Sequence, residues 1–256
     1  MMDCLSTAQS SSSSRALALL DAFAGPRSVL GVSELAAGAD LPKSTAHRLL
    51  SILVKQNYVK RIGDRYALSE HAFEIGNLVA ACRPGGLRET AVPFMVELAQ
   101  QTHETVHLAV LHNGSVLYLE KLFQHYATPC PTAVGSRRPA HCTALGKALL
   151  AHSPDEAMDQ VISGTLQRFT HRTIVNPDLL GRDLARARND GVAVEIEEFR
   201  PGLVCVAVPI MHRRDNTPIG ALSITSSVPR LKLRRFASLL NEASAALGSR
   251  LTSASL

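Results

Sequence analysis

Tryptophan is absent from the 256 residues, and aromatic residues make up only 4% of them. That poverty argues against recognition of single strands or RNA loops, which rests on stacking bases against aromatic faces. No run of about 18 or more apolar residues occurs, so no helix is expected to span a membrane. The first 14 residues have neither a basic n-region nor an apolar h-region, so no secretory signal is expected. Cysteine is sparse and unpaired in spacing: Cys4, Cys82, Cys130, Cys142 and Cys205 are odd in number, scattered, and contain no CxxC. This pattern predicts reduced thiols in a cytoplasmic protein rather than a disulfide framework or a zinc site. Gly25-Pro-Arg-Ser-Val-Leu-Gly31 lacks the lysine of a phosphate loop, and no cofactor is expected.

What the chain does contain is a normal globular balance, 46% hydrophobic and 19% charged, at a length that accommodates two domains. Its net charge of +5 is unevenly placed. Between Lys43 and Tyr66 lie six basic residues (Lys43, Arg48, Lys55, Lys60, Arg61, Arg65) against the single acid Asp64, so this stretch alone accounts for the excess. A neutral body with one basic module suits attraction to a phosphate backbone.

The hydrophobic pattern around that module predicts helices over 14–24, 33–37 (capped by Ser33, ended by Gly38) and from Pro42 to about Gln56. Two short strands, 58–62 and 65–68, follow around Gly63-Asp64. The layout is helix, turn, helix and basic hairpin, a winged helix-turn-helix that reads duplex DNA. At 100° per residue, Ala46, Leu49, Leu50 and Leu53 share the face expected to pack inward. Ser44, Arg48, Ser51 and Lys55 share the opposite one, with Thr45 and His47 on its flanks. Lys43, Ser44 and Thr45 are expected to hold phosphates, His47 and Arg48 to reach base edges, and Arg61 and Arg65 to act from the wing. Ser10–Ser14 is expected to be a mobile arm.

A helix with an apolar stripe of Ala72, Phe73, Ile75, Leu78 and Val79 is predicted over 70–81, and Arg83-Pro84-Gly85-Gly86 reads as a boundary. Beyond it the pattern is mixed. Helices are predicted over 90–101, 143–152, 155–162, 177–190 and 231–250, and strands over 105–111, 116–122, 192–197, 204–211 and 219–226. His103-Glu104-Thr105-Val106-His107 spells HExxH, but its β-branched residues lead into a strand. In a strand the two histidines stand roughly 13 Å apart, too far to share a zinc ion. An enzyme, either a zinc hydrolase on His103 and His107 or a thiol hydrolase on Cys205, is the competing reading; no metal site is expected. Thr143 reads as a helix N-cap whose following N–H groups can hold a carboxylate. Ser223 and Thr225, two apart on a strand, face one side of it.

Three segments then carry a family resemblance: Leu41-Pro-Lys-Ser-Thr-Ala-His-Arg-Leu-Leu50, Pro139-Ala-His-Cys-Thr-Ala-Leu-Gly-Lys-Ala-Leu-Leu-Ala151 and Gly202-Leu-Val-Cys-Val-Ala-Val-Pro-Ile210. In this order, the chain resembles the IclR family of bacterial transcriptional regulators over nearly its whole length. The resemblance implies an α+β architecture, an N-terminal winged helix-turn-helix plus a C-terminal GAF-like α/β sensor domain. The implied divisions are a flexible arm at 1–13, the DNA-binding domain at 14–69, a linker helix at 70–88 and an effector-binding and oligomerisation domain at 89–256. It further implies a homodimer or homotetramer on a pseudo-palindromic double-stranded operator, with a small-molecule effector, in the cytoplasm. The effector residues that match the family's are Ala144, Leu145, Glu195, Cys205, Ser223 and Thr225, with Glu197 or Glu198 as alternatives to Glu195 and a plain core thiol as the alternative for Cys205. Leu145 is bulkier than the alanine of two-carbon-acid sensors, which implies an effector other than glyoxylate.

Overall fold

The computed structural model describes residues 11–24, 27–82, 85–124 and 127–251. The chain divides into two units, Met1–Val79 and Ala80–Leu256. Among the described residues no helix is long and apolar enough to cross a membrane.

In the first unit, α1 spans Ser12–Asp21, and the Ser11 hydroxyl accepts a hydrogen bond from the Ser14 N–H at 3.0 Å. Ser11–Ser14, expected to be part of a mobile arm, is therefore a cap and first turn, since serine at this position satisfies an otherwise orphaned donor. Ser10 and the residues before it lie outside the described residues. Helix α2 (Val32–Gly38) begins at Gly31 rather than at Ser33, with the Glu34 carboxylate accepting from the Gly31 N–H at 2.8 Å. Helix α3 spans Lys43–Lys55. Strands β1 (Leu30–Gly31), β2 (Val59–Ile62) and β3 (Arg65–Leu68) make a sheet of order β1-β3-β2. The two residues of β1 are too few to show any alternation, so pattern alone misses them. Leu19, Leu35, Leu49, Leu50, Val59 and Tyr66 close the core over this sheet.

Helix α4 covers only Glu70–Gly76, ending at Gly76-Asn77 rather than at residue 81. Among the described residues its apolar stripe is largely exposed, Phe73 by 67% and, just past the helix, Leu78 by 78%. The unit boundary falls inside the stretch 70–88 expected as one linker helix, and the next helix, α5, starts at Leu87.

In the second unit α5 (Leu87–Thr102) precedes strands β4 (Thr105–His112) and β5 (Ser115–Leu122), joined by a turn with Asn113 and Gly114 at positive φ. Strand β6 (Arg137–Pro139), missed by pattern for its brevity, leads through a single tight turn at Ala140–Cys142 into α6 (Ala144–Leu150). Helices α7 (Asp155–Ile162) and α8 (Pro177–Asp190) follow, then β7 (Ala193–Ile196), β8 (Leu203–Met211), β9 (Pro218–Ser227) and α9 (Leu233–Arg250). The strands form one antiparallel sheet of order β6-β5-β4-β9-β8-β7.

Strand alternation gives the sheet two unlike faces. On one, Val106, Leu108, Val206, Val208, Ile210, Leu222 and Ile224 meet α5 and α9 through Met95, Leu98, Phe236 and Leu240. On the other, Ala109, Ala193, Ala207 and Ala221 offer little side-chain bulk, and α6 lies there through Ala144, Leu145 and Ala148. The preceding turn lies tight against α6 as well, for a Cβ atom at Gly146 would overlap the backbone of Ala140. Gly146→Ala should therefore destabilise the second unit by about 1–3 kcal/mol through backbone displacement, outweighing the roughly 1 kcal/mol that alanine gains in a helix. Urea unfolding of the full chain checks this; an unchanged or raised midpoint would show that the approach relaxes freely.

Candidate functional site

Helix α3 sorts its side chains as its periodicity requires. Ala46, Leu49, Leu50 and Leu53 are buried, whereas Lys43, Ser44, His47, Arg48, Ser51 and Lys55 are exposed and Thr45 is half-buried. Pro42 precedes the helix without a capping side chain, and the first helical bond is Ala46 N–H to Pro42 O. The N–H groups of Lys43, Ser44 and Thr45 thus point out of the helix start, a favourable place for a phosphate. Ser51 donates its hydroxyl to the His47 carbonyl at 2.9 Å, leaving its oxygen lone pairs outward. Lys43, Arg48 and Lys55 form no ion pair among the described residues.

The remaining cations of the basic stretch are not equally free. Arg65 pairs with Glu34 at 2.7 Å, and Arg27 holds the other oxygen of the same carboxylate at 2.6 Å. Lys60 pairs with Glu70, and Arg61 donates from Nε to the Gly63 carbonyl at the wing tip, 2.8 Å away. Counting charges along the sequence therefore overstates what this face presents to solvent.

In the second unit, Ala144, Leu145, Glu195, Cys205, Ser223 and Thr225 line one small cavity. Register brings them together. Thr225 pairs with Cys205 and Cys205 with Glu195, while the next row along the strands places His107 opposite Ser223. The start of α6 covers these rows, its Thr143 hydroxyl accepting from the Gly146 N–H at 3.2 Å. The cavity volume is about 30 Å³, so the chamber is closely walled.

Several lining residues went unassigned in the sequence: His107, Tyr118, Cys130, Thr132, Phe199 and Arg200. His107 Nε2 lies 2.7 Å from Thr132 Oγ1 and Nδ1 lies 3.4 Å from Thr225 Oγ1, which is itself 3.1 Å from Cys205 Sγ. The segment carrying Thr132 is held by Lys121 Nζ, which donates to the Cys130 and Thr132 carbonyls at 2.9 and 2.8 Å. The only sequence signal for His107 was its place in HExxH, and that motif comes apart. His103 sits in left-handed conformation at the end of α5, exposed, whereas His107 is buried on β4. Glu104 pairs with Arg230 at 3.0 Å and accepts from the Ser226 hydroxyl at 2.8 Å.

The three candidate glutamates have three different partners. Glu195 faces the cavity and accepts from the N–H groups of Glu198 and Phe199. Glu197 binds the Gly202 N–H at 2.8 Å and Arg172 at 3.1 Å. Glu198 pairs with Lys147, which also reaches Asp183 at 2.7 Å and is only 1% exposed. This buried cation on α6 ties that helix to α8 and to the turn beyond β7; nothing in a single lysine signals it.

Burial works against charge throughout the cavity. It lowers His107 to about 3, with Lys121 adding to the effect, so the imidazole is neutral. It raises Glu195 to about 7, the N–H groups of Phe199 and Glu198 offsetting only part of the cost. The Cys205 thiol is pushed well above its usual value by burial and then by Glu195, which opposes the reactive thiolate that a hydrolase needs.

Residues 80–248 match the family described as bacterial transcriptional regulator IclR C-terminal, and residues 12–63 match the IclR helix-turn-helix domain. The chain is 34% identical over 219 residues to the glycerol operon regulatory protein of Streptomyces coelicolor, covering 85% of each. It is 32% identical over 232 residues to transcriptional repressor IclR of Escherichia coli, covering 88% of this chain and 83% of that one. A crystal structure of an IclR homologue from Microbacterium hydrocarbonoxydans complexed with 4-hydroxybenzoate superposes with a TM-score of 0.85 at 30% identity, covering 94% of this chain and 99% of the other.

The raised Glu195 value fixes the sign of a stability effect. The folded chain keeps a proton there that the unfolded chain releases near 4.5, so stability falls as pH rises from about 4.5 through 7. Glu195→Gln should match the parent at pH 4.5 and exceed it by on the order of 2–3 kcal/mol at pH 8. Thermal unfolding at both values measures this; a gap that is constant with pH would mean that Glu195 titrates as an ordinary surface acid.

Proposed function

The chain belongs to the IclR family of bacterial transcriptional regulators, and on that premise we propose that it binds a pseudo-palindromic operator through α3 and the wing and a small carboxylic or aromatic acid through the cavity of its second unit. Membership makes it a DNA-binding regulator with an effector domain rather than an enzyme. The observation that carries the effector reading is the convergence of Ala144, Leu145, Glu195, Cys205, Ser223 and Thr225, from four separate elements, on one cavity. The 4-hydroxybenzoate bound to the Microbacterium homologue supports an aromatic acid, and the bulk of Leu145 supports an effector other than glyoxylate.

On the DNA side, Lys43, Ser44 and Thr45 hold phosphates at the helix start, and His47, Arg48, Ser51 and Lys55 face the groove. Arg61 reaches backbone from the wing. Arg65, paired with Glu34, serves the DNA only after giving up that partner, which ranks it last. The DNA-binding domain extends from Ser11 to about Ser69, with 70–88 joining it to the effector domain at 89–256. The exposed Phe73, Ile75, Leu78 and Val79 support self-association, as a homodimer or homotetramer. Half-sites about 34–36 Å apart then make affinity sensitive to how the effector changes that association.

Arg48→Ala should weaken binding to an operator fragment, mapped by footprinting beside the gene, by about 5- to 150-fold. Its binding to random DNA at matched salt should change far less; equal losses would make Arg48 a phosphate contact. On the effector side, 4-hydroxybenzoate should raise the unfolding temperature of the parent chain, since a ligand of the folded state stabilises it. Ser223→Leu, which fills the cavity, should abolish that rise. A rise of equal size in Ser223→Leu would place any acid elsewhere.

A further inference from the structure

The cavity of the second unit measures about 30 Å³, whereas a dry protein cavity that takes up benzene measures roughly 150 Å³. An aromatic acid is larger than benzene, so a wall has to move before one enters. Three of the walls are firmly held. The floor is a paired sheet. The start of α6 is tied down through Lys147, which reaches Asp183 and Glu198. The turn carrying Phe199 and Arg200 accepts from Thr170 at the Glu197 carbonyl, 2.7 Å, and from Thr173 at the Glu198 carbonyl, 2.6 Å. It also gives the Glu198 and Phe199 N–H groups to Glu195.

The fourth wall is different. Residues 127–136, between β5 and β6 in the chain, line the cavity with Cys130 and Thr132 and leave Pro129, Pro131 and Ala133 exposed. Neither proline has an N–H to give, so Thr128-Pro-Cys-Pro-Thr132 does not pair as a strand, and its fixed proline φ angles keep it stiff. Among the described residues, no backbone hydrogen bond joins 127–134 to another wall. Such bonds resume at Gly135 and Ser136, which meet Tyr118 of β5.

Side chains hold this segment instead. Lys121 donates to the Cys130 and Thr132 carbonyls, His107 bonds the Thr132 hydroxyl, and Arg138 donates to the Pro131 carbonyl at 2.9 Å. The Arg138 guanidinium also lies over the Phe199 ring, 5.2 Å from its centre, which joins the segment to the well-held turn. Its Nε–H is buried without an acceptor among the described residues, a cost that weakens this arrangement.

We propose, resting on the effector reading above, that residues 127–136 form a strap that swings on Gly135, at φ 81°, to admit the effector, with Arg138 as its latch. An acid inside fills the space that Cys130 and Thr132 now border, so the strap stays displaced and its position signals occupancy. Arg138 acts as a positioning residue: loosening it raises the open fraction, and with it the apparent affinity.

Alkylation of the full chain with N-ethylmaleimide, followed peptide by peptide by mass spectrometry, tests this. Cys205 faces the cavity and is reached past the strap, whereas Cys142 is buried outside the cavity lining and reports general unfolding. Arg138→Met should speed modification of Cys205 about tenfold and leave that of Cys142 unchanged. Lys121→Met, which frees the other anchor, should do the same. In calorimetric titration, Arg138→Met should bind 4-hydroxybenzoate more tightly than the parent does. Unchanged modification of Cys205 in both variants, or equal acceleration at Cys142, would overturn the strap. Weaker binding of the acid by Arg138→Met would make Arg138 a ligand contact and overturn its role as latch. If no acid binds the parent, the effector reading fails, while the Cys205 rates still decide whether the strap opens.

Discussion

Helix α6 seats its apolar side on an alanine-lined face of the sheet, and most of what matters in the second unit follows from that packing; Gly146 within it has no room for a side chain because the Ala140 backbone, in the turn before the helix, lies against it. The alanines at 109, 193, 207 and 221 make the sheet face shallow enough to receive the helix. Where the helix begins, the residues beneath it change from alanine to Glu195, Cys205, Ser223 and Thr225, and the floor becomes polar. A helix standing farther off would leave an open groove; one seated this near leaves a narrow, closely walled chamber. The first-turn N–H groups of α6 are held over that chamber by the same packing.

The seating also buries Lys147, whose amine is compensated by Asp183 and Glu198. Removing either partner would strand charge inside, so the triad fixes α6, α8 and the turn after β7 relative to one another. That turn supplies the N–H groups of Glu198 and Phe199 to Glu195. The polar atoms of the cavity are thus held by groups that are themselves held, the condition for a site whose geometry selects its ligand. In the first unit the corresponding constraint is simpler. A leucine-rich face of α3 docks on the core, and the polar face has no choice but to point outward.

Much of this is readable along the chain where the cause is local. The inward face of α3, the Thr143 cap, the αL glycine at 191 that ends α8, and the helix-to-strand break within HExxH follow from periodicity, capping and β-branching. The six candidate effector residues came from resemblance to a family, and strand register then explains why distant positions share a wall. Short strands β1 and β6 escape because a few residues carry no period, and α4 was read too long because its apolar stripe runs past the Gly76-Asn77 stop. The stripe itself stays largely exposed among the described residues, which hydropathy could not tell.

By itself the sequence determined which residues turn inward or outward on each element, because side-chain direction depends only on helical or strand geometry, and it placed the basic reading helix. Only the tertiary structure decided which cations of that stretch stay free, since Arg65 meets Glu34 from 31 positions away. Only it separated Glu195 from Glu197 and Glu198, and drew His107 and Arg200 to the same cavity. Charge states and pairings depend on burial and on partners distant in sequence, and those exist only once the chain has folded.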